Sequence, residues 1–145
     1  MKKARLTFLK LAVAAAIVTC VSVGSASAQS LKATFTLPYD VQWGKSVLPA
    51  GPYTVTFDNL RGPAIVRTST GAGRAIVVPV TLDKAMKDQP SALLISKIEN
   101  QRVVRYLNLR EADTSFVYRP FTKSERMLVG QLDESEVVPI RMAQK

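Results

Sequence analysis

Leu31-Lys32-Ala33-Thr34-Phe35-Thr36-Leu37 alternates apolar and polar side chains without a fault. Successive side chains of a strand point to opposite faces. Leu31, Ala33, Phe35 and Leu37 therefore share one face of a half-buried strand, and Lys32, Thr34 and Thr36 share the other. Tyr53-Thr54-Val55-Thr56-Phe57 repeats the pattern, with Tyr53, Val55 and Phe57 inward. Between the two runs, Pro49-Ala50-Gly51-Pro52 has turn chemistry: Pro49 presets φ for the second position of a type I turn, and Gly51 suits the fourth. Val41 to Val47, with Trp43 and Gly44, reads as a strand or hairpin entering that turn.

Outward from this core the signals recur about every ten residues, separated by Gly, Pro, Asn and Asp. Ala64 to Arg67 and Ala75 to Val80 read as paired strands joined by the hairpin loop Ser69 to Arg74. Leu93 to Ile98 and Arg102 to Leu109 flank Glu99-Asn100-Gln101 as a second hairpin, and Phe116 to Tyr118 and Val137 to Ile140 add two shorter strands. The spacing predicts an all-β fold, a single antiparallel β-sandwich or closed barrel of seven to nine strands. Helical signals are few. Leu82, Ala85 and Met86 could share one helical turn. Thr122-x-x-Glu125 matches a capping box ahead of Met127, Leu128 and Val129, with Gly130 as the stop. One short helix near the C-terminus is expected, with residues 130–145 a partly extended polar tail.

The N-terminus carries a different signature. Lys2, Lys3, Arg5 and Lys10 precede thirteen mostly apolar residues, Leu11 to Val23, and then Ala26-Ser27-Ala28. Basic start, short apolar run and small residues at −3 and −1 are the parts of a secretory signal peptide, expected over residues 1–28 with cleavage between Ala28 and Gln29. At ~1.5 Å per residue such a run spans roughly 20 Å as a helix, short of the ~30 Å hydrocarbon core. Cys20, the single cysteine, has Thr19 before it rather than the small residue that lipid attachment favours. Cleavage would leave residues 29–145 as one β-domain of 117 residues without cysteine, with sixteen basic and eleven acidic residues, a net +5. The expected location is periplasmic or extracellular.

Phe35-Thr36-Leu37-Pro38-Tyr39-Asp40-Val41-Gln42-Trp43-Gly44, followed by Leu48-Pro49-Ala50-Gly51-Pro52-Tyr53-Thr54-Val55, resembles small exported β-domain proteins of acidobacterial type. These carry F-x-V-P-F-x-F-x-V-G and then L-P-A-G-x-Y-x-V. Here Leu37, Tyr39, Val41 and Trp43 stand at the second, third, fourth and fifth apolar positions of the first segment. The Ser124-Glu125-Arg126 region also resembles their charged, helix-prone segment. The resemblance implies a fold and a compartment and carries no activity and no catalytic residue.

With no histidine in the chain and no cysteine beyond Cys20, Ser-His-Asp and Cys-His catalysis are excluded, as are the usual zinc and copper ligands. No cofactor is expected. Asp58, Glu111, Asp113, Asp133, Glu134 and Glu136 fall in turns or in the tail rather than at inward positions, where burial would raise a carboxyl pKa for acid catalysis. Thr81-x-x-Lys84 has hydroxyl–amine spacing for one helical turn, a pattern that recurs by chance. Two hypotheses remain besides a histidine-free hydrolase built on a carboxylate pair or on Ser/Thr–Lys. The leading one is a non-enzymatic envelope or extracellular module that binds a partner, an envelope polymer or a protein, or contributes structure. The other is a polyanion-binding domain. Arg102, Arg105, Arg110 and Arg119 lie among Tyr106, Phe116, Tyr118 and Phe121, and arginine with aromatics suits polysaccharide or lipid phosphates and sulfates, nucleic acid less so. The aromatic stripe of Phe35, Tyr39, Trp43, Tyr53 and Phe57 suits a core better than a ligand cavity.

Overall fold

The structure, a computed structural model, describes residues 30–128 and 135–143. The expected signal peptide with its Ala28/Gln29 cleavage site, the helix stop at Gly130, and Asp133 and Glu134 lie outside the described residues.

Two sheets face each other over a shared core. The run that opens the domain forms β1 (Leu31–Leu37), which pairs in full antiparallel register with β4 (Gly51–Phe57), Leu31 opposite Phe57 and Leu37 opposite Gly51. The alternation is obeyed at every step: Ala33, Phe35, Leu37, Tyr53, Val55 and Phe57 are buried. β5 (Ala64–Thr68) and β6 (Arg74–Val77) extend this sheet on one side, and β12 (Arg141–Met142) closes it on the other. The second sheet contains β7 (Thr81–Lys84), β8 (Ala92–Ile98), β9 (Gln101–Leu109), β10 (Thr114–Val117) and β11 (Ser135–Pro139) in the order β11-β8-β9-β10-β7. The hairpin of β2 (Val41–Trp43) and β3 (Ser46–Leu48) joins it by one parallel bridge, Gln42 to Val103. Below, the two sheets are called sheet I and sheet II. Their strand orders are separate, and among the described residues no barrel closes.

Aromatic rings tie the sheets together. Phe57 of sheet I stacks on Phe116 of sheet II at 4.6 Å between centroids. Trp43, fully buried, meets Phe35 at 5.7 Å and the edge of Tyr118 at 5.2 Å. Burying each such side chain contributes about 2–3 kcal/mol, so a core of this composition stabilises the fold without a disulfide. The aromatic stripe is core, with Tyr39 the half-buried exception.

Twelve strands among the described residues exceed the seven to nine expected. Each segment read as a strand contains one, and the additions are short. Leu82 lies on strand β7 rather than on a helical turn with Ala85 and Met86; its register against β10 supplies the hydrogen bonds a helix would have made. Residues 135–142, expected to be partly tail, pair in both sheets, β11 with β8 and β12 with β1, the chain crossing between sheets at Ile140. Backbone groups at a sheet edge gain partners there that a tail would leave to water. The second hairpin turns on two residues, Glu99 and Asn100, both at positive φ (49° and 81°), with Gln101 already in β9. The capping box forms as read: Glu125 N–H donates to Thr122 Oγ1 at 3.2 Å, Thr122 N–H donates to Glu125 Oε2 at 2.8 Å, and helix α1 (Lys123–Leu128) follows.

Candidate functional site

The four arginines proposed as anion contacts do not converge. Arg105 is 2 % exposed, and its placement corrects the sequence reading. Between the pairs Leu94–Tyr106 and Ile95–Val104 the β8–β9 register slips by one, leaving Arg105 as the extra residue of a β-bulge. The bulge turns Arg105 and Tyr106 together away from the core, where the chain after β10 folds over them. Arg105 Nη2 donates to Glu125 Oε1 at 2.8 Å, Nη1 donates to the Pro120 carbonyl at 3.2 Å, and the guanidinium lies 4.4 Å from the Phe121 ring centroid. Hydrogen bonds from Arg105, and then from the Thr122 backbone N–H, hold the Glu125 carboxyl at about 2. This arginine clamps α1 to the sheet, and its remaining donor, Nε, is buried out of reach of a ligand in solution.

Arg102 is the second residue of β9 and Arg110 follows its end, roughly 26 Å away at ~3.3 Å per residue. Arg102 is occupied as well: its guanidinium lies 3.9 Å from the Tyr39 ring centroid, and Nε is 3.8 Å from Glu136 Oε1. Tyr39 donates its hydroxyl to Glu136, and burial together with that bond pushes it up to about 12. The cluster pins the β1–β2 connection to β9 and β11. Arg110 and Arg119 are exposed, on either side of β10 in the chain.

Thr81 and Lys84 sit on β7 three positions apart, so their side chains leave opposite faces and the hydroxyl–amine spacing is lost. Glu111 accepts a hydrogen bond from Ser91, whose Oγ in turn accepts from the Arg110 N–H at 2.9 Å. Among the described residues no three acidic side chains gather as a metal site, and no helix is long and apolar enough to cross a membrane.

A concavity lies at the end of sheet I, between the β3–β4 turn and the β5–β6 hairpin. It is a groove of about 710 Å³. Its floor is Leu48, Tyr53, Val66 and Ala75, all buried, and exposed Val47 forms one lip. The opposite rim is polar: Thr68, Ser69, Thr70 and Arg74. Local chemistry sets both walls. On one side Gly51 adopts φ +146°, where any side chain would be strained, Asp40 accepts the Ala50 N–H at 3.0 Å, and the Tyr53 hydroxyl donates to the Pro49 carbonyl at 2.9 Å. On the other, Thr68 Oγ1 accepts the Gly73 N–H at 3.1 Å and shares a hydrogen bond with Thr70. A Cβ at Gly73 would come within 3.1 Å of Thr68 Cγ2, so that loop is closed tightly by glycine. Sequence reading identified both walls as turns and could not see that they face each other, because the β4–β5 pairing that juxtaposes them (Tyr53 opposite Thr68) is a tertiary fact.

No known protein family, characterised protein or solved structure matches the chain.

Proposed function

We propose that the chain is an exported, non-enzymatic β-sandwich module that binds an amphipathic ligand in the groove between residues 46–53 and 66–75. The observation that carries this reading is the groove itself. Its volume falls within the ~300–1,000 Å³ typical of small-molecule sites, its floor is apolar, and its rim offers hydroxyls and the cation Arg74. Among the described residues no carboxylate lines it. The chain has no histidine, so hydroxyls at the rim lack the usual base. An apolar body with an anionic or hydroxylated end fits this distribution.

The probe is anilinonaphthalene sulfonate, an apolar anion, titrated into folded protein while the near-ultraviolet dichroism of Trp43 reports intact packing. Saturable binding is expected, weakened roughly tenfold by Val47→Glu, which sets a charge on the apolar lip. Absence of saturable binding, or equal binding by Val47→Glu, overturns the groove reading. Export is supported by the N-terminal pattern and by the resemblance of residues 35–55 to exported proteins. Its test is the mass of the protein released from expressing cells: a chain beginning at Gln29 supports it, and an uncut chain retained in the cytoplasm refutes it.

A further inference from the structure

The alternation that buries one face of sheet I also determines what the other face shows. Its strands carry Lys32, Arg67, Arg74 and Arg141 and no acidic residue. Register then lines three of these up. Arg141 stands opposite Thr34, Thr34 opposite Thr54, Thr54 opposite Arg67, and Arg67 opposite Arg74. The row crosses the whole sheet, about 19 Å at ~4.8 Å per strand. The adjacent row runs Lys32, Thr56, Ile65, Ile76. Arg67, Arg74 and Arg141 are exposed, and among the described residues none has an acidic partner within 4.0 Å. Directly opposed like charges on one face destabilise a strand pair, so the Arg67–Arg74 pairing works against the fold that contains it. A shallow trough bordered by Thr34, Thr36, Thr54 and Arg141 continues the row toward Pro139.

We propose that the outer face of sheet I binds an extended anionic polysaccharide along the row Arg141–Thr34–Thr54–Arg67–Arg74. The row is longer than one sugar ring and calls for a polymer. Guanidinium groups pair with sulfates or carboxylates in bidentate fashion, and the intervening threonine hydroxyls donate to and accept from sugar hydroxyls. The row carries no aromatic side chain on which bases could stack, which disfavours single-stranded nucleic acid. This proposal goes beyond the groove: Arg67 and Arg141 do not line that cavity.

The test is retention on immobilised heparin and on immobilised polygalacturonate, a sulfated and a carboxylated glycan, starting at about 50 mM salt. The parent is expected to be held and to elute as salt rises. The double variant Arg67→Glu/Arg141→Glu should lose roughly tenfold in affinity. Arg110→Glu/Arg119→Glu makes the same change in net charge on exposed residues elsewhere and should elute like the parent. Val47→Glu, in the groove, should also leave retention unchanged, which separates this site from the groove. No retention of the parent overturns the proposal. So does an equal loss in the two double variants, which would make binding a matter of net charge, and so does tighter binding to single-stranded DNA or to anionic vesicles than to either glycan. Unfolding midpoints no lower than the parent's in the variants show that binding was lost without loss of folding.

Discussion

On the outer face of sheet II, Arg105 lies under the 119–128 segment with a carboxylate, two carbonyls and an aromatic ring around it. On the outer face of sheet I, Arg67 stands in water opposite Arg74. The sheets share one core and differ in whether a second layer covers them. Sheet II is covered twice, by 119–128 at the bulge and by the 85–90 loop, which Asn108 holds: its side chain accepts the Met86 N–H at 3.0 Å and donates to the Pro90 carbonyl at 3.1 Å. β9 is accordingly buried on both faces along most of its length, while β1 and β4 keep a clean alternation. An arginine beneath cover must be neutralised locally and becomes part of the scaffold. An arginine on an open face is free to meet a ligand.

The largest effect is expected where the covered arginine is removed. Arg105→Ala deletes the ion pair and the carbonyl bonds together, and denaturant unfolding should show a loss of about 2–4 kcal/mol, toward the lower end because Glu125 can partly rehydrate. Arg67→Ala should change stability by less than ~0.5 kcal/mol; comparable losses for the two would erase the contrast. Next is Asn108→Ala, which removes the part-buried hydrogen bonds that hold the 85–90 loop, at a cost of about 1–2 kcal/mol. Trypsin should then cut faster after Lys87, and unchanged cleavage would show that the loop is held by something else.

The acid response is smaller. Glu125 is shifted down from 4.5 to about 2 in the folded protein, so its contribution is complete above 4.5 and is lost as pH falls toward 2. The parent should lose stability across that window more steeply than Glu125→Gln, and parallel acid curves would contradict the clamp. The smallest effect is a gain. Arg67→Thr relieves the opposed cations and should stabilise the fold by a few tenths of a kcal/mol at low salt. Added salt should abolish the gain; a gain that persists in concentrated salt would trace to strand propensity and not to charge.

Most of the strand framework was legible because period-two alternation reports one-sided burial directly. Every segment read as a strand holds one, from Leu31–Leu37 to Val137–Ile140, and the Thr122–Glu125 box marked its helix. β7 and β12 were missed for opposite reasons. Thr81–Lys84 buries too little to show a pattern, and Arg141–Met142 is too short for any period to register. The proposed binding surfaces are less legible. Arg105 was read as a surface contact because an arginine on a strand is usually outward and solvated, and outward it is. The cover over it comes from a segment up to twenty residues further on. Arg74 reads from the sequence only as the end of the Ser69–Arg74 hairpin loop, and nothing local links it to Arg67 or Arg141, which lie far apart along the chain.

From Leu31 onward, then, the sequence by itself determined which side chains face the core, since alternation is a local property and burial of every second residue follows from the pleat. It also determined the absence of histidine chemistry, which is a matter of composition. Tertiary structure alone decided the fate of each arginine. Whether an outward side chain meets water, a carboxylate or another cation depends on which strand lies alongside and which segment folds across. Both are set by contacts between residues distant in the chain, and the local pattern carries no record of them.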